Sequence, residues 1–417
     1  MSIAVVYDLG AASAAEIVQS LGEDDEIVMV FGFSEHAQSM AEVFAEDCLA
    51  TYGIGDPGLA AALAGHGVEG VVTYSERMLE ATAELAAQAG LVFHSPQVIA
   101  NVTNKAKQRT RLREAGVDAL TSILLTSIDA WEDAIGQTGV PAVVKPVRGD
   151  SSRSTVMITD GRAGRETVER LLAAEGALLV EEMLRGAPPP DPCFGDYVSV
   201  ESAVLPDGTV HYAVTGKFRL APPFRETGQF WPAYLDEAAY EGVIGLADGA
   251  IVALGITTGI VHTEIKLTAT GPRVIEVNGR MGGLQPELAA RATDLDMIRI
   301  AADIALGRPV KLEPTRPEGV TFQLWTPGPA RHGILRTVAG AEAVRRIPGV
   351  ARHRTVLLPG TEVGGTSTNS LALTFGAVQR HDLLPDLVAA VTAELSYEFE
   401  MDGQLVTYTG ADLLVRE

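Results

Sequence analysis

The chain has 417 residues, 47% of them hydrophobic and 21% charged, which excludes a disordered protein and leaves room for two to four domains at roughly 100–200 residues each. Its 32 Lys and Arg stand against 54 Asp and Glu, a formal net charge of −22, and a field of that sign argues against nucleic acid or an anionic membrane surface as a partner. Only Cys48 and Cys193 are present, too few for a disulfide framework. No leader is expected in MSIAVVYDLG, and no uncharged apolar stretch reaches the roughly 18 residues of a membrane span. A cytoplasmic location is the expectation.

In chain order, residues 3–7 (IAVVY) read as a strand buried on both faces, followed by similar short runs at 27–31, 70–73 and 91–93. Ala-rich helical stretches at 11–21, 36–46, 57–65 and 76–89 separate them. Strand alternating with helix predicts a doubly wound parallel sheet over about 1–95. Its turns lack G-x-G-x-x-G, which disfavours dinucleotide binding. A basic helix is expected over 103–115, then strands at 120–125, 142–147, 154–159 and 177–182. The Pro-rich stretch 186–195 reads as a loop. Strands at 197–205 and 210–217 follow, then an aromatic stretch over 218–234 without periodicity, and a helix over 236–254. From about 311 short strands and Gly-rich turns alternate with a helix near 383–395, read as a separate C-terminal lobe.

The most informative stretch is TGIVHTEIKLTATGPRVIEVNGRMGG, 258–283. As two strands, 259–267 and 273–278, it puts His262, Glu264 and Lys266 on one face; Val274, Glu276 and Asn278 share a face of the second strand, with Ile275 and Val277 opposite. A hairpin centred on Thr270 sets Glu264 against Glu276 and His262 against Asn278. Facing like charges destabilise a sheet unless a cation lies between them, and two carboxylates with an amide oxygen suit Mg²⁺ or Mn²⁺. A solvated polar strand face explains the pairing equally well. Mg²⁺ commonly completes its shell with substrate phosphates, which points to a nucleotide triphosphate.

Three further stretches bear on that choice. In VPAVVKPVRGDSSRSTVMI, 140–158, Lys145 ends an apolar run and would present its ammonium at the strand end. Gly149 to Ser154, with Ser151 and Ser152, form a small loop rich in donors that could fold over phosphates, although a plain turn accounts for it too. ALLVEEML, 177–184, is either an exposed strand end or a hinge whose backbone meets a base.

Taken together, the ordered series N-K at 104–105, V-K-P at 144–146, G-D-S-S-R-S at 149–154, V-E-E-M-L at 180–184, D-Y-V-S-V-E at 196–201, H-T-E-I-K-L at 262–267 and E-V-N-G-R at 276–280 resembles the ATP-grasp superfamily. The resemblance implies an α/β protein with α+β lobes. A Rossmann-like N-terminal lobe would span 1–95 and an ATP-grasp domain 96–310, its small lobe over about 117–187 and large lobe over about 196–310. A C-terminal lobe would span 311–417. It implies ATP and Mg²⁺ (or Mn²⁺) as cofactors, with Lys105 and Lys145 on phosphates and the loop Gly149–Ser154 as flap. Glu181, Glu182 and Leu184 would form the adenine hinge, Asp196 would bind ribose, and Glu264, Glu276 and Asn278 would hold metal. Arg280 matches the arginine on a substrate carboxylate and its acyl phosphate.

Within the superfamily, G-D-Y-V-S-V-E-S, V-H-T-E-I-K-L and F-R-E-T-G-Q-F-W-P at 224–232 are most similar to L-amino-acid ligases of the dipeptide-forming kind. That implies a small carboxylic acid and an amine as substrates, and it leaves room for a homodimer. Glu226 is then a candidate for binding an amino group, as well as an ordinary loop acid. Glu76, at a first-domain strand end, either faces the amine or favours a helix N-terminus. His262 is a candidate general base or a hydrogen-bonded structural histidine. Leu284 stands near where the dipeptide ligase carries a bulky aromatic, which alters the expected substrate pair. A biotin-carboxylase-type enzyme and a non-catalytic nucleotide-binding module are the competing readings.

Overall fold

The first apolar run becomes β1 (Ser2–Tyr7) in a computed structural model that describes residues 1–365 and 369–415. Residues 366–368 and 416–417 of the expected C-terminal lobe lie outside the described residues. With β2 (Glu26–Phe31), β3 (Ala50–Gly53) and β4 (Val68–Val72), β1 forms a parallel sheet in the order β3-β2-β1-β4. Every residue of β1 is buried, as in a strand covered on both faces. Helices α1 (Ala14–Leu21), α2 (Glu35–Val43), α3 (Leu59–Gly65) and α4 (Leu79–Ala89) alternate with the strands. α1 starts at a capping box, in which Ser13 accepts from the Glu16 N–H and Glu16 accepts from the Ser13 N–H at 2.8 Å.

Two expectations for this lobe are corrected. Residues 91–93 are irregular: Leu91 and Phe93 pack against the core of this lobe, but Val92 is 64% exposed and the sheet ends at β4. The fourth strand is β3, whose ATYG is half-buried at the sheet edge and carries no apolar run to betray it.

The expected basic helix is α6 (Lys105–Glu114), and a short helix not expected from the sequence, α5 (Pro96–Val102), precedes it. Asn104 starts α6 as its N-cap, its side chain accepting from the Lys107 N–H at 3.0 Å. Next come β5 (Ser122–Leu125), α7 (Trp131–Thr138), β6 (Ala142–Pro146), β7 (Val156–Ile158), α8 (Gly161–Glu175) and β8 (Leu178–Glu182). The four strands make an antiparallel sheet in the order β5-β8-β6-β7, packed through Leu125, Val144 and Val180 against Trp131 and Val168 of the two helices.

The third sheet has eight antiparallel strands. β9 (Phe194–Leu205), β10 (Gly208–Phe218), β11 (Gly228–Trp231), β12 (Gly259–Thr268) and β13 (Gly271–Asn278) come from the middle of the chain, with α9 (Glu237–Leu254) against them. β14 (Val320–Pro327), β15 (Gly333–Ala339), β16 (Val350–Thr355), β17 (Glu362–Val363) and β18 (Ser370–Val378) follow, and the sheet runs β13-β12-β9-β10-β11-β14-β18-β16. It therefore continues across the boundary expected near 311. β11 is the bridge; it lies inside the stretch read as irregular, and its four residues are all buried. Four residues are too few to register as a period-2 signal. Among the described residues no helix is long and apolar enough to cross a membrane.

The β12–β13 hairpin pairs Glu264 with Glu276 and His262 with Asn278, as the spacing predicts. Beyond Glu264 a bulge shifts the register, so that Ile265 meets Val274 and Lys266 meets Arg273. The shared face expected for Val274 and Glu276 is thereby corrected. Val274 joins Val277 in the core, while Ile275 turns to the cleft beside Glu276. Asp118, ahead of β5, anchors this strand: its carboxylate accepts from Arg273 Nε at 3.0 Å, the Val274 N–H at 2.9 Å and the Leu120 N–H at 2.8 Å.

Burial alone would raise the Asp118 pKa, but the Arg273 guanidinium and the backbone donors hold it below the usual carboxylate range. A depressed folded pKa contributes stability that is present above the unfolded pKa and lost as pH falls through the folded one. Asp118→Ala leaves Arg273 and two amides without their acceptor and should cost about 3 kcal/mol, read from urea unfolding at pH 7. The difference from wild type should shrink as the pH falls below about 4.

Candidate active site

A cleft of about 630 Å³ opens where three of the four sheets converge, the fourth being the one that holds β15 and β17. It is lined by the residues expected to bind phosphates, metal, adenine and substrates, but not by Ser154, Leu284 or Asp196; the Asp196 carboxylate accepts from Lys266 Nζ at 2.6 Å, and Lys266 itself lines the cleft. Leu9 and Gly10 after β1, and Glu76 and Arg77 after β4, reach the same cleft. These are the carboxyl ends of adjacent parallel strands at the point where the strand order reverses, the usual ligand position in an open α/β sheet.

On the small-sheet side, Glu181 is 3% exposed and holds two cations. Lys145 Nζ lies at 2.7 Å and Arg109 Nε at 2.5 Å. Burial would raise the Glu181 pKa, but the two cations reverse the shift and push it down to about 2. Burial lowers the Lys145 pKa against the opposing pull of Glu181. Arg109 also donates to the carbonyls of Val274 and Ile275, each at 2.7 Å, so one guanidinium ties β8 to β13. Glu182 and Leu184 both line the cleft, and the Glu182 side chain accepts from the Thr121 N–H at 3.0 Å.

On the hairpin side, Lys105 Nζ bridges Glu276 Oε1 at 2.8 Å and the Gly149 carbonyl at 2.7 Å. Burial opposes its charge, yet Glu276 raises its pKa above the usual lysine value. Among the described residues no group of three or more His, Cys, Asp or Glu is arranged to hold a metal. Glu264, Glu276 and the Asn278 amide nevertheless supply hard oxygen donors on adjacent strands. They fit a divalent cation such as Mg²⁺ or Mn²⁺ that takes one or two carboxylates and draws its other ligands from water and phosphate.

His262 lies between Glu201 at 2.7 Å and Glu264 at 3.4 Å. Burial lowers its pKa, but the two carboxylates outweigh burial and push it up to about 9. Both ring nitrogens are thereby engaged by carboxylates, the geometry of a hydrogen-bonded histidine.

At the far end, Arg280 Nε donates to Glu76 Oε2 at 2.9 Å, and its Nη1 donates to the Met281 carbonyl at 2.8 Å. Glu76 is raised by burial against the pull of Arg280. Glu226 follows the tight 221–225 loop into the cleft, and burial raises it against the pull of Lys217. The loop Gly149–Ser154 contributes Gly149 through Arg153 to the cleft wall. Gly149 has φ of 139°, and Ser151, Ser152 and Ser154 adopt left-handed φ of 54°, 56° and 57°, conformations that side chains seldom take. Asp150 ties this loop to Arg77 at 3.2 Å, and Arg148 pairs with Glu80.

Several cleft residues escaped the sequence reading. Arg109 is four residues after Lys105 on one helix, a spacing that puts both on the same face and was the available signal. Lys217, like Lys145, ends an apolar strand run; its ammonium donates to Gln229 Oε1 at 2.9 Å. Glu201 and Gln285 carried no signal beyond strand alternation and a helix start.

Glu181→Gln leaves Lys145 and Arg109 buried without their counter-charge. The expected loss is about 3–5 kcal/mol of unfolding free energy in denaturant titration, because a broken buried pair leaves an uncompensated charge.

No family model matches the chain. Over 303 residues it is 28% identical to an uncharacterised protein, y4rH, of Sinorhizobium fredii, covering 71% of this chain and 60% of that one. Over 256 residues it is 25% identical to the alanine–anticapsin ligase of Bacillus subtilis, covering 57% and 54%. The chain thus spans little more than half the length of these curated relatives. Among solved structures, the L-amino acid ligase from Bacillus licheniformis superposes with a TM-score of 0.76 at 19% identity, covering 94% of this chain and 97% of the other.

Proposed function

The chain is an ATP-grasp protein similar to carboxylate–amine ligases, and on that footing we propose that it joins the carboxylate of one amino acid, or a similar acid, to the amine of another, with release of ADP and phosphate. What carries this reading is the gathering in one cleft of Lys105, Lys145, the facing Glu264 and Glu276, and Arg280.

A carboxylate is a poor electrophile. In the first step one of its oxygens attacks the γ-phosphorus of ATP and the bond to the bridging oxygen breaks, so ADP departs and an acyl phosphate remains. In the second, the amine attacks the acyl carbon, inorganic phosphate leaves, and the nitrogen loses a proton to form the amide. Glu181, Glu182 and Leu184 border the adenine in this reading, and Asp196 with Lys266 the ribose. Lys145 and Lys105 neutralise phosphate oxygens, Lys105 exchanging its hold on Glu276 for them. Glu264, Glu276 and Asn278 would hold Mg²⁺ or Mn²⁺, which when bound screens the charge of the transferring phosphoryl group. Arg280 can grip the acid's carboxylate through two parallel N–H bonds and then stabilise the oxyanion that forms when the amine adds. In this reading Glu226 and Glu76, which line the same cleft, meet the substrate ammonium. The acyl phosphate must be kept from water, a task suited to the loops 149–154 and 218–232.

Two measurements test the reading. Arg280→Lys keeps the charge and loses the planar fork, so kcat/KM for the acid should fall by about tenfold or more, about 1.4 kcal/mol, with ATP affinity unchanged. Loss of ATP binding instead would make Arg280 a nucleotide contact. With Mg-ATP and mixed amino acids, mass spectrometry should show a condensed amide in step with ADP. AMP as the coupled product would refute the acyl-phosphate route, and ADP release that requires bicarbonate and yields no amide would favour a carboxylase.

A further inference from the structure

The loop that follows Arg280 is gripped from outside the hairpin. Gln229 on β11 and Gln323 on β14 lie directly opposite each other in the sheet, both 1% exposed or less. Gln229 Nε2 donates to the Gly283 carbonyl at 3.1 Å, and Gln323 Nε2 donates to the Leu284 carbonyl at 2.8 Å. The two amides are joined, Gln229 Nε2 donating to Gln323 Oε1 at 2.9 Å. Their orientations are not free choices. The ammonium of Lys217 can only donate, so the side facing it at 2.9 Å must be Gln229 Oε1. That turns Gln229 Nε2 toward Gln323 Oε1, which in turn points Gln323 Nε2 at the Leu284 carbonyl.

The gripped loop needs such support. Leu284 holds a left-handed φ of 56°, uncommon for a residue with a side chain. On its other flank the backbone is pressed against His262: a Cβ on Gly282 would come within 2.5 Å of His262 Nδ1. The Met281 carbonyl accepts from Arg280 Nη1 at 2.8 Å, so the loop backbone holds one side of the guanidinium while Glu76 holds Nε at 2.9 Å. Gly283 itself lines the cleft.

We propose that Gln323, from the C-terminal segment, is a positioning residue for the acid substrate: paired with Gln229, it clamps the carbonyls of Gly283 and Leu284 and thereby presets the Arg280 guanidinium and the adjoining cleft wall. The functional half of this inference rests on the carboxylate-activation reading given above. The clamp makes no contact with the nucleotide-facing lysines, so its loss acts on the acid alone.

The test is Gln323→Met, which keeps the length and removes both polar atoms, beside Gln323→Glu, which keeps the acceptor for Gln229 and sets an oxygen against the Leu284 carbonyl. Both should raise KM for the acid by about tenfold with KM for ATP nearly unchanged. Hydrogen exchange followed by mass spectrometry should show faster exchange over 281–288 in both, with the 149–154 loop unaltered. Unchanged exchange over 281–288 in a folded variant overturns the clamp, and equal changes in both KM values reduce it to a structural contact. If Gln323→Met does not fold, Gln323→Glu is read in its place, and wild-type exchange over 281–288 as fast as an open loop overturns the proposal unaided. If the wild type makes no amide at all, the ligase reading fails while the exchange comparison still decides the clamp.

Discussion

Two carboxylates, Glu264 and Glu276, face each other directly across adjacent strands, and a sheet accepts that arrangement only with positive charge beside it. Much of the cleft follows from this constraint. Lys105 reaches Glu276 from the start of α6, and His262 lies between Glu264 and the fully buried Glu201, whose carboxylates favour its charged form. Arg280 lies two residues beyond Asn278 at the end of the same strand. The bulge after Glu264 serves the same end, since it turns Ile275 and Glu276 both toward the cleft and returns Val274 and Val277 to the core.

A second charge cluster joins the sheets. Glu181 accepts from Lys145 within its own sheet and from Arg109 on α6, and Arg109 spends its other donors on β13 carbonyls. Each buried charge in this chain of contacts has a partner, as the low dielectric of an interior demands. On the proposed function, these pairs also explain how a cleft crowded with carboxylates can receive a polyanion: its cations are held in place by acids of the protein until phosphates and a divalent ion exchange with them.

The polar ladder of Lys217, Gln229 and Gln323 extends the site into the C-terminal part of the chain. β11 pairs with β10 on one side and β14 on the other, so the eight-stranded sheet carries residues from beyond 311 to the wall of the cleft. The proposed acid site is thereby built from all parts of the chain: Glu76 from the parallel sheet, Arg280 from the hairpin and Gln323 from the strand that follows.

The sequence by itself determined what local chemistry can encode. The parallel-sheet lobe was legible because β1, β2 and β4 are continuous apolar runs, and the facing of Glu264 and Glu276 because side chains alternate strictly along a strand. Lys105, Lys145 and Arg280 were legible because they fall in an ordered series of motifs. What only the tertiary structure decided depends on contacts between distant segments. β3 and β11 are four-residue strands held by their neighbours, too short for any period to show. Arg109 looked like one more charge on a basic helix until Glu181, 72 residues away, was brought to it. The β13 backbone beside the bulge that divides Val274 from Glu276 is held by Arg109 and Asp118, and the raised pKa of His262 follows from the placement of Glu201 beside it. Burial and register, the two quantities that settle a pKa or a side chain's direction, belong to the assembled sheets and not to any one stretch of chain.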